Sequence, residues 1–251
     1  MGSLRSHLCL RRSFISATSF ARFSSKITNN PIILRSFSSD SAIQCENGVS
    51  MVQGASRGIG LEFVAAKIIG DTHGRLDLLI NTSGILSIPN VLKPETTLSK
   101  VEKSSLLLTF EVNAVGPLLV IKHMWPLLKV GGGRGSGREA AIVANLSARV
   151  GSIGDNRLGG WHSYRASKTA LNQLSKNVAL EFERRKEPII CLLLHPGTVN
   201  TDLSRPFQQN VPVGKLFTTK FSVEKLLCII DGAKASDNGK FLAWDGHEIP
   251  W

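Results

Sequence analysis

A tyrosine and a lysine stand four residues apart in the run YRASK, as Tyr164 and Lys168. The residues around them have amphipathic, helical spacing, so the two side chains share one face of a helix. A lysine ammonium near a phenol favours the ionised phenol, which makes the pair suited to moving a proton. Tyr164 is the only tyrosine in the chain. A lone tyrosine more often serves packing, so the pair gains meaning only from its surroundings.

Further polar residues and glycines lie where apolar, strand-like runs end. In an open α/β sheet the ligand crevice lies at the carboxyl ends of the strands, so we expect these residues to meet there. Asn113, in EVNAVGP within the long helical region 99–128, is either part of this group or a buried polar residue of the helix. The strand-end residues are Asn81 and Gly84 after LDLLIN, Ser147 after AAIVANLS, and Pro196, Gly197 and Thr201 after IICLLL.

A glycine-rich motif, GASRGIG, lies between the strand-like run VSMVQ and the helix-like run LEFVAAKII. Glycines let the backbone turn sharply and approach a pyrophosphate, whose charge the free amides of a helix start can bind. Arg57 indicates a cofactor with an extra 2′-phosphate, because guanidinium groups bind phosphate oxygens well. Short glycine motifs also recur by chance, so a plain turn is the alternative. The candidate cofactor-binding residues here are Gly54, Ser56, Arg57, Gly58, Ile59 and Gly60.

Taken in order, these motifs resemble the short-chain dehydrogenase/reductase family. The similarity is to its carbonyl-reductase-like branch, which includes the C-factor and sniffer proteins, and it covers about residues 49–251. The resemblance implies an oxidoreductase that transfers a hydride between a nicotinamide cofactor and a small carbonyl or alcohol substrate. NADP is the expected cofactor, with NAD as the alternative.

The resemblance also implies a role for each matching residue. Tyr164 would donate a proton to the oxygen of the carbonyl that receives the hydride, and Lys168 would assist it and hold the nicotinamide ribose. Ser147 would hold the substrate oxygen, and Asn113 would hold a water that links Lys168 to solvent. The other matches would line the cofactor, Asn81 and Gly84 at the adenosine-side ribose, and Pro196, Gly197 and Thr201 at the nicotinamide end.

From Val49 onward, short apolar runs alternate with helical patterns, which predicts βαβ units and a parallel sheet. We therefore expect an α/β fold with a Rossmann-like, doubly wound parallel sheet. It should form a single domain over residues 49–251, preceded by a linker over residues 40–48.

One stretch departs from the family pattern. Only residues 70–75 separate the helix-like run that ends at Ile69 from the strand-like run near Asp77. A βαβ unit takes about 30 residues or more, so the second and third family strands and their helices cannot fit. With the family strand order 3-2-1-4-5-6-7, this loss predicts an exposed edge at the first strand, an uncovered sheet face and a weakened adenosine pocket. The alternative function is therefore a catalytically inactive variant that only binds partners or fails to fold.

The first 39 residues have a composition of their own, with Arg and Ser abundant, six basic residues and no acidic one. This is typical of an organellar transit peptide. The run RSFSS at residues 35–39 resembles a mitochondrial processing site with cleavage after Phe37, so a mitochondrial location is expected. Chloroplast targeting and a disordered basic tail are the alternatives.

The net charge of +11 comes largely from this amino-terminal segment. Since basic and aromatic residues are not interleaved elsewhere, we expect no nucleic-acid partner. No apolar run reaches the roughly 18–20 residues of a membrane span, so no integral membrane association is expected. The four cysteines lack paired spacing, which predicts neither a metal site nor a disulfide framework. A homo-oligomer is expected because the family usually forms one.

Overall fold

The protein is described here by a computed structural model that covers residues 12–17, 48–53, 75–132 and 139–251. Six parallel strands form one sheet in the order β1-β2-β3-β4-β5-β8. Two short strands, β6 (Thr198–Val199) and β7 (Leu216–Phe217), pair separately. The strands of the main sheet are β1 (Arg12–Ala17), β2 (Gly48–Gln53), β3 (Leu78–Asn81), β4 (Ala141–Leu146), β5 (Ile189–His195) and β8 (Phe241–Ala243).

Helices cover both faces of this sheet. The helices are α1 (Lys103–Phe110), α2 (Gly116–Leu128), α3 (His162–Arg184) and α4 (Thr219–Asp231), with a π-helical turn at Glu111–Val115. On one face, α2 and α3 pack on β3, β4 and β5 through residues such as Val120, Phe182 and Val143. On the other face, α4 packs on the same strands through residues such as Leu226 and Leu192. Short 3₁₀ turns lie at Leu98–Lys100, Arg149–Gly151, Arg205–Asn210 and Ala235–Asp237.

The central strands read as unbroken apolar runs because both of their faces are covered. Every residue of β3 and β4 is buried, as is all of β5 except His195 at its end. Strands of a parallel sheet with helices on both faces have this composition. The predicted Rossmann-like α/β class is confirmed, and β2 lies next to β3, as the first and fourth strands do in the family order.

The predicted exposed edge at β2 is wrong. Strand β1 pairs with β2 in parallel along its whole length, from Arg12 opposite Gly48 to Ala17 opposite Gln53. The expectation failed because residues 1–39 were interpreted from their composition alone, which hid a six-residue strand, RSFISA, within them. Whether the segment is also a targeting peptide stays a prediction, as do the domain boundaries.

The predicted loss of cover over one sheet face is also wrong. Val52, Leu78 and Ile80 point to that face, and each is fully buried. The short join itself, residues 70–74, lies outside the described residues, as do the helix-like run before it and the GASRGIG motif. The deletion therefore stays an inference from chain length.

The helical stretch Lys103–Leu128 is long and apolar enough, by length and composition alone, to cross a membrane. It contacts α3 and the sheet instead, and Asn113 lies fully buried at its middle. We therefore assign this stretch to the helical layer of the α/β fold. The predicted homo-oligomer stays a prediction.

Candidate active site

Tyr164 and Lys168 lie one turn apart in the first two turns of α3, with 8% and 4% of their surfaces exposed. Burial raises the pKa of Tyr164 to about 12 and lowers the pKa of Lys168 to about 8, because each charged form loses water. The Lys168 Nζ lies 6.0 Å from the centre of the Tyr164 ring. The two groups therefore share one helix face, as predicted, in a buried site.

Lys168 is held at the ends of two strands. Its Nζ donates a hydrogen bond of 2.9 Å to the carbonyl oxygen of Leu146, the last residue of β4. A Cβ atom at Gly84, just after β3, would lie 3.4 Å from that Nζ and 3.6 Å from Asn113 Oδ1. Gly84, Asn113 and Lys168 thus meet at the carboxyl edge of the sheet, where the sequence placed them.

Glu95 sets the start of α3 and hence the position of Tyr164. Its backbone oxygen accepts a hydrogen bond of 2.5 Å from the amide of Trp161, which adopts a left-handed conformation with φ of 50°. Its buried carboxylate accepts hydrogen bonds from the amide of Ser163, at 3.1 Å, and from the Ser163 hydroxyl. A carboxylate at a helix amino terminus accepts hydrogen bonds from free amides and interacts favourably with the positive end of the helix dipole.

Ser147 follows β4 and is 4% exposed. Its hydroxyl donates a hydrogen bond of 2.6 Å to Asn172 Oδ1 on α3, and its amide donates one of 2.9 Å to the carbonyl of Leu194. The hydroxyl has one proton, so a substrate oxygen would compete with Asn172 for it. Ser147 is therefore fixed between β4, β5 and α3.

Asn113 lies in the π-helical turn Glu111–Val115, a feature that is frequent at functional sites. Its Oδ1 accepts a hydrogen bond of 2.7 Å from the amide of Ile85, and its Nδ2 donates bonds of 2.9 Å to the carbonyl of Ile85 and to Ser167 Oγ. One amide proton thus ties the helix to the loop after β3, and the other ties it to α3. The predicted water-holding role stays a prediction.

The side chain of Asn81 lies inside the sheet. Its Nδ2 donates a hydrogen bond of 2.7 Å to Asn145 Oδ1, and Asn145 in turn donates one of 2.8 Å to Ser175 Oγ. Asn81 Oδ1 is buried and has no hydrogen-bond partner among the described residues. The whole residue is 1% exposed, and its predicted contact with a ribose stays a prediction.

The segment after β5 forms another wall of the site. Gly197 has a φ of +78°, and a Cβ atom there would lie 2.5 Å from the Phe217 ring, so the turn requires glycine. Thr201 is tied to Ser204, whose Oγ accepts a hydrogen bond of 3.2 Å from its amide. Burial lowers the pKa of His195 to about 4, with the charge of Arg149 adding to the effect, so this imidazole is neutral near pH 7.

A cavity of about 510 Å³ opens beside these groups. Ser147 and Tyr164 lie in one wall, and Pro196, Gly197 and Thr201 in another. The rest is built from the loop before α3 and from the segment after β6, including Trp161 and Phe207, whose ring centres are 4.9 Å apart. A proton-donating phenol and a serine hydroxyl thus face a space large enough for a small organic molecule.

The family model described as short chain dehydrogenase matches residues 64–212. This chain belongs to that family. The C-signal protein of Myxococcus xanthus is 34% identical over 178 residues, which is 71% of this chain and 94% of that protein. The 1-hydroxy-2-glutathionyl-2-methyl-3-butene dehydrogenase of Rhodococcus sp. (strain AD45) is 30% identical over 209 residues, or 83% of this chain and 81% of that protein.

Solved short-chain dehydrogenase structures agree with this assignment. The NADPH-bound carbonyl reductase from chicken fatty liver matches with a TM-score of 0.66 and 26% identity, over 80% of this chain and 98% of that chain. The carbonyl reductase Sniffer of D. melanogaster matches with a TM-score of 0.68 over 80% of this chain and 98% of that chain, and at 23% identity it shows the shared fold. The carbonyl-reductase-like branch expected from the motifs is confirmed, and the chain is a short-chain dehydrogenase/reductase enzyme by family.

The nicotinamide half of a dinucleotide fits the described residues. Ser147, Tyr164, Pro196, Gly197 and Thr201 line one cavity, so the residues expected at the nicotinamide end face a shared space. The pyrophosphate half would fall on GASRGIG, which lies outside the described residues.

Several residues of the short-chain dehydrogenase site were not found from the sequence. Glu95 is one of 19 acidic residues, and nothing local indicates that it reaches across 68 positions to the start of α3. Asn172 was missed although it lies on α3 eight residues after Tyr164, spacing that places both toward the strands. Trp161, Arg157 and Phe207 also line the cavity, and no motif in the sequence indicates them.

Proposed function

We propose that this chain is an NADP(H)-dependent oxidoreductase that interconverts carbonyl and alcohol groups of small molecules. The observation that carries the proposal is the meeting of Ser147, Tyr164, Lys168 and Asn113 at the carboxyl edge of the sheet, with the first two facing one cavity. The similarity to an NADPH-bound carbonyl reductase supports NADP as the cofactor. Arg57 in the glycine motif supports the same choice, because it could bind a 2′-phosphate.

In this proposal, a bound nicotinamide supplies the hydride that reduces the carbonyl carbon. The carbonyl oxygen then gains negative charge and needs both a hydrogen-bond donor and a proton. Ser147 donates the hydrogen bond as the charge develops, once its hydroxyl turns from Asn172. Tyr164 donates the proton as general acid. Alcohol oxidation uses the same groups in reverse.

Lys168 makes this proton transfer feasible. A buried phenol with a pKa of about 12 is a weak acid, and its anion would be poorly solvated in the site. The neighbouring ammonium stabilises the phenolate that remains after proton donation, since its positive charge lies next to the ring. Lys168 is held for this task by the carbonyl of Leu146.

The second candidate is a catalytically inactive product that only binds partners or fails to fold. It is favoured by the short join after Ile69, which leaves no room for the strands that normally flank the adenosine. Titrating the purified chain with NADPH, followed by fluorescence, separates the two candidates. Saturable binding and a cooperative melt support the enzyme, and the absence of both supports the inactive product.

The rate of carbonyl reduction should fall as the pH rises through about 8. Lys168 loses its charge there, because burial has lowered its pKa to about 8, and the neutral amine no longer stabilises the Tyr164 phenolate. The measurement is kcat/KM as a function of pH, with circular dichroism at each pH to show that the fold persists. Lys168→Met should be slow and lack this inflection. A flat profile in the wild type across the range would contradict the role of Lys168.

We also propose that the chain enters an organelle, the mitochondrion first and the chloroplast as the alternative. The support is the Arg- and Ser-rich, acid-free composition of residues 1–39 and the RSFSS sequence. Amino-terminal sequencing of protein recovered from the organelle should begin near Ser38. Recovery of chains that still start at Met1, and only from cytosol, would contradict import.

A further inference from the structure

The lining of the cavity carries an excess of positive charge. Among the described residues, three arginines line it, Arg149, Arg157 and Arg165, against one acid, Asp155. His195, also in the lining, is neutral near pH 7 because burial lowers its pKa to about 4. The lining is therefore cationic, although nothing in the proposed chemistry at Tyr164 requires a cation there.

The three arginines differ in how their charge is used. Arg149 forms an ion pair of 3.0 Å with Asp155, which offsets its charge. Arg165 donates to two backbone carbonyls, those of Gly159 at 3.1 Å and Val150 at 3.4 Å, neither of which carries a formal charge. Arg157 is exposed and makes no ion pair with any residue in the described part of the chain. Two guanidinium charges in this wall are thus without an anionic partner.

The remaining wall is apolar. Leu86, Leu158, Trp161 and Phe207 line it, and the Trp161 and Phe207 rings are in contact. The Trp161 ring also meets the Tyr164 ring edge to face, with centres 6.3 Å apart. The cavity lining thus combines a proton donor, an apolar surface in contact with it and guanidinium groups, which suits a flat, apolar body that carries both a carbonyl and an anion.

We propose that the substrates of this chain are carbonyl compounds with an aromatic or apolar body and a carboxylate group. The carbonyl lies against Tyr164 and Ser147, and the carboxylate lies against Arg157 and Arg165. A planar carboxylate matches the fork of a guanidinium group, which makes arginine a better partner than lysine for it. The inference rests on the proposed function and adds the substrate class.

A matched pair of aldehydes tests the charge alone. The full chain with NADPH is assayed on 4-carboxybenzaldehyde and on its methyl ester, which share one frame and differ by one negative charge. We expect kcat/KM to be about tenfold higher for the acid, the low end of the range for a charge-assisted hydrogen bond because Arg157 is exposed. Raising the salt from about 50 to about 500 mM should reduce this preference, since added ions screen the attraction.

Variants locate the effect. Arg157→Gln should lower kcat/KM for the acid by about tenfold through KM, and leave the ester within about twofold. Arg157→Lys should recover part of the loss. Arg184→Gln, which removes the same charge from an exposed position at the far end of α3, is the control and should change neither substrate. Equal losses for acid and ester in Arg157→Gln, or no preference for the acid in the wild type, would overturn the proposal.

Binding without chemistry separates this inference from the proposed function. Calorimetry of the chain alone with 4-methylbenzoate and with 4-methylbenzyl alcohol measures the anion preference in the absence of NADPH and of any carbonyl. If neither aldehyde is reduced but 4-methylbenzoate binds and Arg157→Gln weakens it, the reaction is refuted and the anion site stands. If both aldehydes are reduced and 4-methylbenzoate binds no better than the alcohol, the anion site is refuted and the reaction stands.

Discussion

Replacing Tyr164 by Phe should lower kcat of carbonyl reduction by about 10²–10⁴-fold, the usual contribution of a positioned general acid. The change removes one hydroxyl and keeps the ring, which packs edge to face on Trp161. No other tyrosine exists in the chain to take over the proton transfer. The measurement is single-turnover oxidation of NADPH, so that slow product release does not mask the chemical step.

The control for this variant is its fold and its cofactor binding. The melting temperature and the NADPH dissociation constant should stay close to the wild-type values, because the buried ring and the hydrogen bond from Lys168 to Leu146 remain. Ser147→Ala should also slow the reaction, since it removes the donor to the substrate oxygen. Unchanged turnover in Tyr164→Phe would show that the family mechanism does not operate in this chain.

Inserting the two family strands and helices that the chain length predicts to be missing should tighten NADPH binding by about several hundredfold. If the adenosine half of the cofactor normally supplies about 3–4 kcal/mol of binding free energy, its loss raises the dissociation constant by about several hundredfold. The variant carries a strand–helix–strand–helix segment from a family member between Ile69 and Asp77. Both versions are titrated with NADPH, and the gain should be smaller for a nicotinamide mononucleotide, which has no adenosine.

Strand β1 affects how this variant must be built. The first inserted strand would pair with β2, on the edge that Arg12–Ala17 occupies. The comparison therefore uses residues 38–251 as well as the full chain, because β1 and the inserted strand would compete in the full chain. Equally tight binding with and without the insertion would mean that residues 70–75 form a working loop and that no segment is missing.

The parts of the fold and site that the sequence predicts are those written in local patterns. The helical spacing of Tyr164 and Lys168, the unbroken apolar strands and the polar residues at their ends led to the Rossmann-like sheet and to the residues now seen around one cavity. The helical and strand patterns are visible within a few consecutive residues, so they can be recognised without knowing any distant contact. The polar residues follow because the carboxyl ends of parallel strands lie at one edge of the sheet.

The parts that the sequence does not predict depend on contacts between distant positions. The hydrogen bonds between Glu95 and Ser163 and between Ser147 and Asn172 have no local signal in the sequence. Glutamate and asparagine are equally common in exposed loops and helices, so their presence does not indicate these contacts. The positive charge of the arginines in the cavity wall is not predicted, because the conformation of the loops decides which arginines line the cavity. Strand β1 was missed because six residues within a basic, Ser-rich segment carry too short an apolar pattern to outweigh the composition around them.

If the amino-terminal segment is a targeting peptide, the pairing of β1 with β2 makes folding compete with import into the organelle. An import receptor needs that segment unpaired, whereas the sheet holds Arg12–Ala17 against Gly48–Gln53. A chain that folds before it is delivered would therefore stay in the cytosol with six strands. A chain that is delivered first and cleaved after Phe37 would fold with five, and β2 would offer its free backbone groups to a strand from another molecule. The cellular location of this enzyme would then determine how many strands its sheet contains. A destabilising core substitution that slows folding should increase the fraction of the chain found in the organelle. Cell fractionation measures that change.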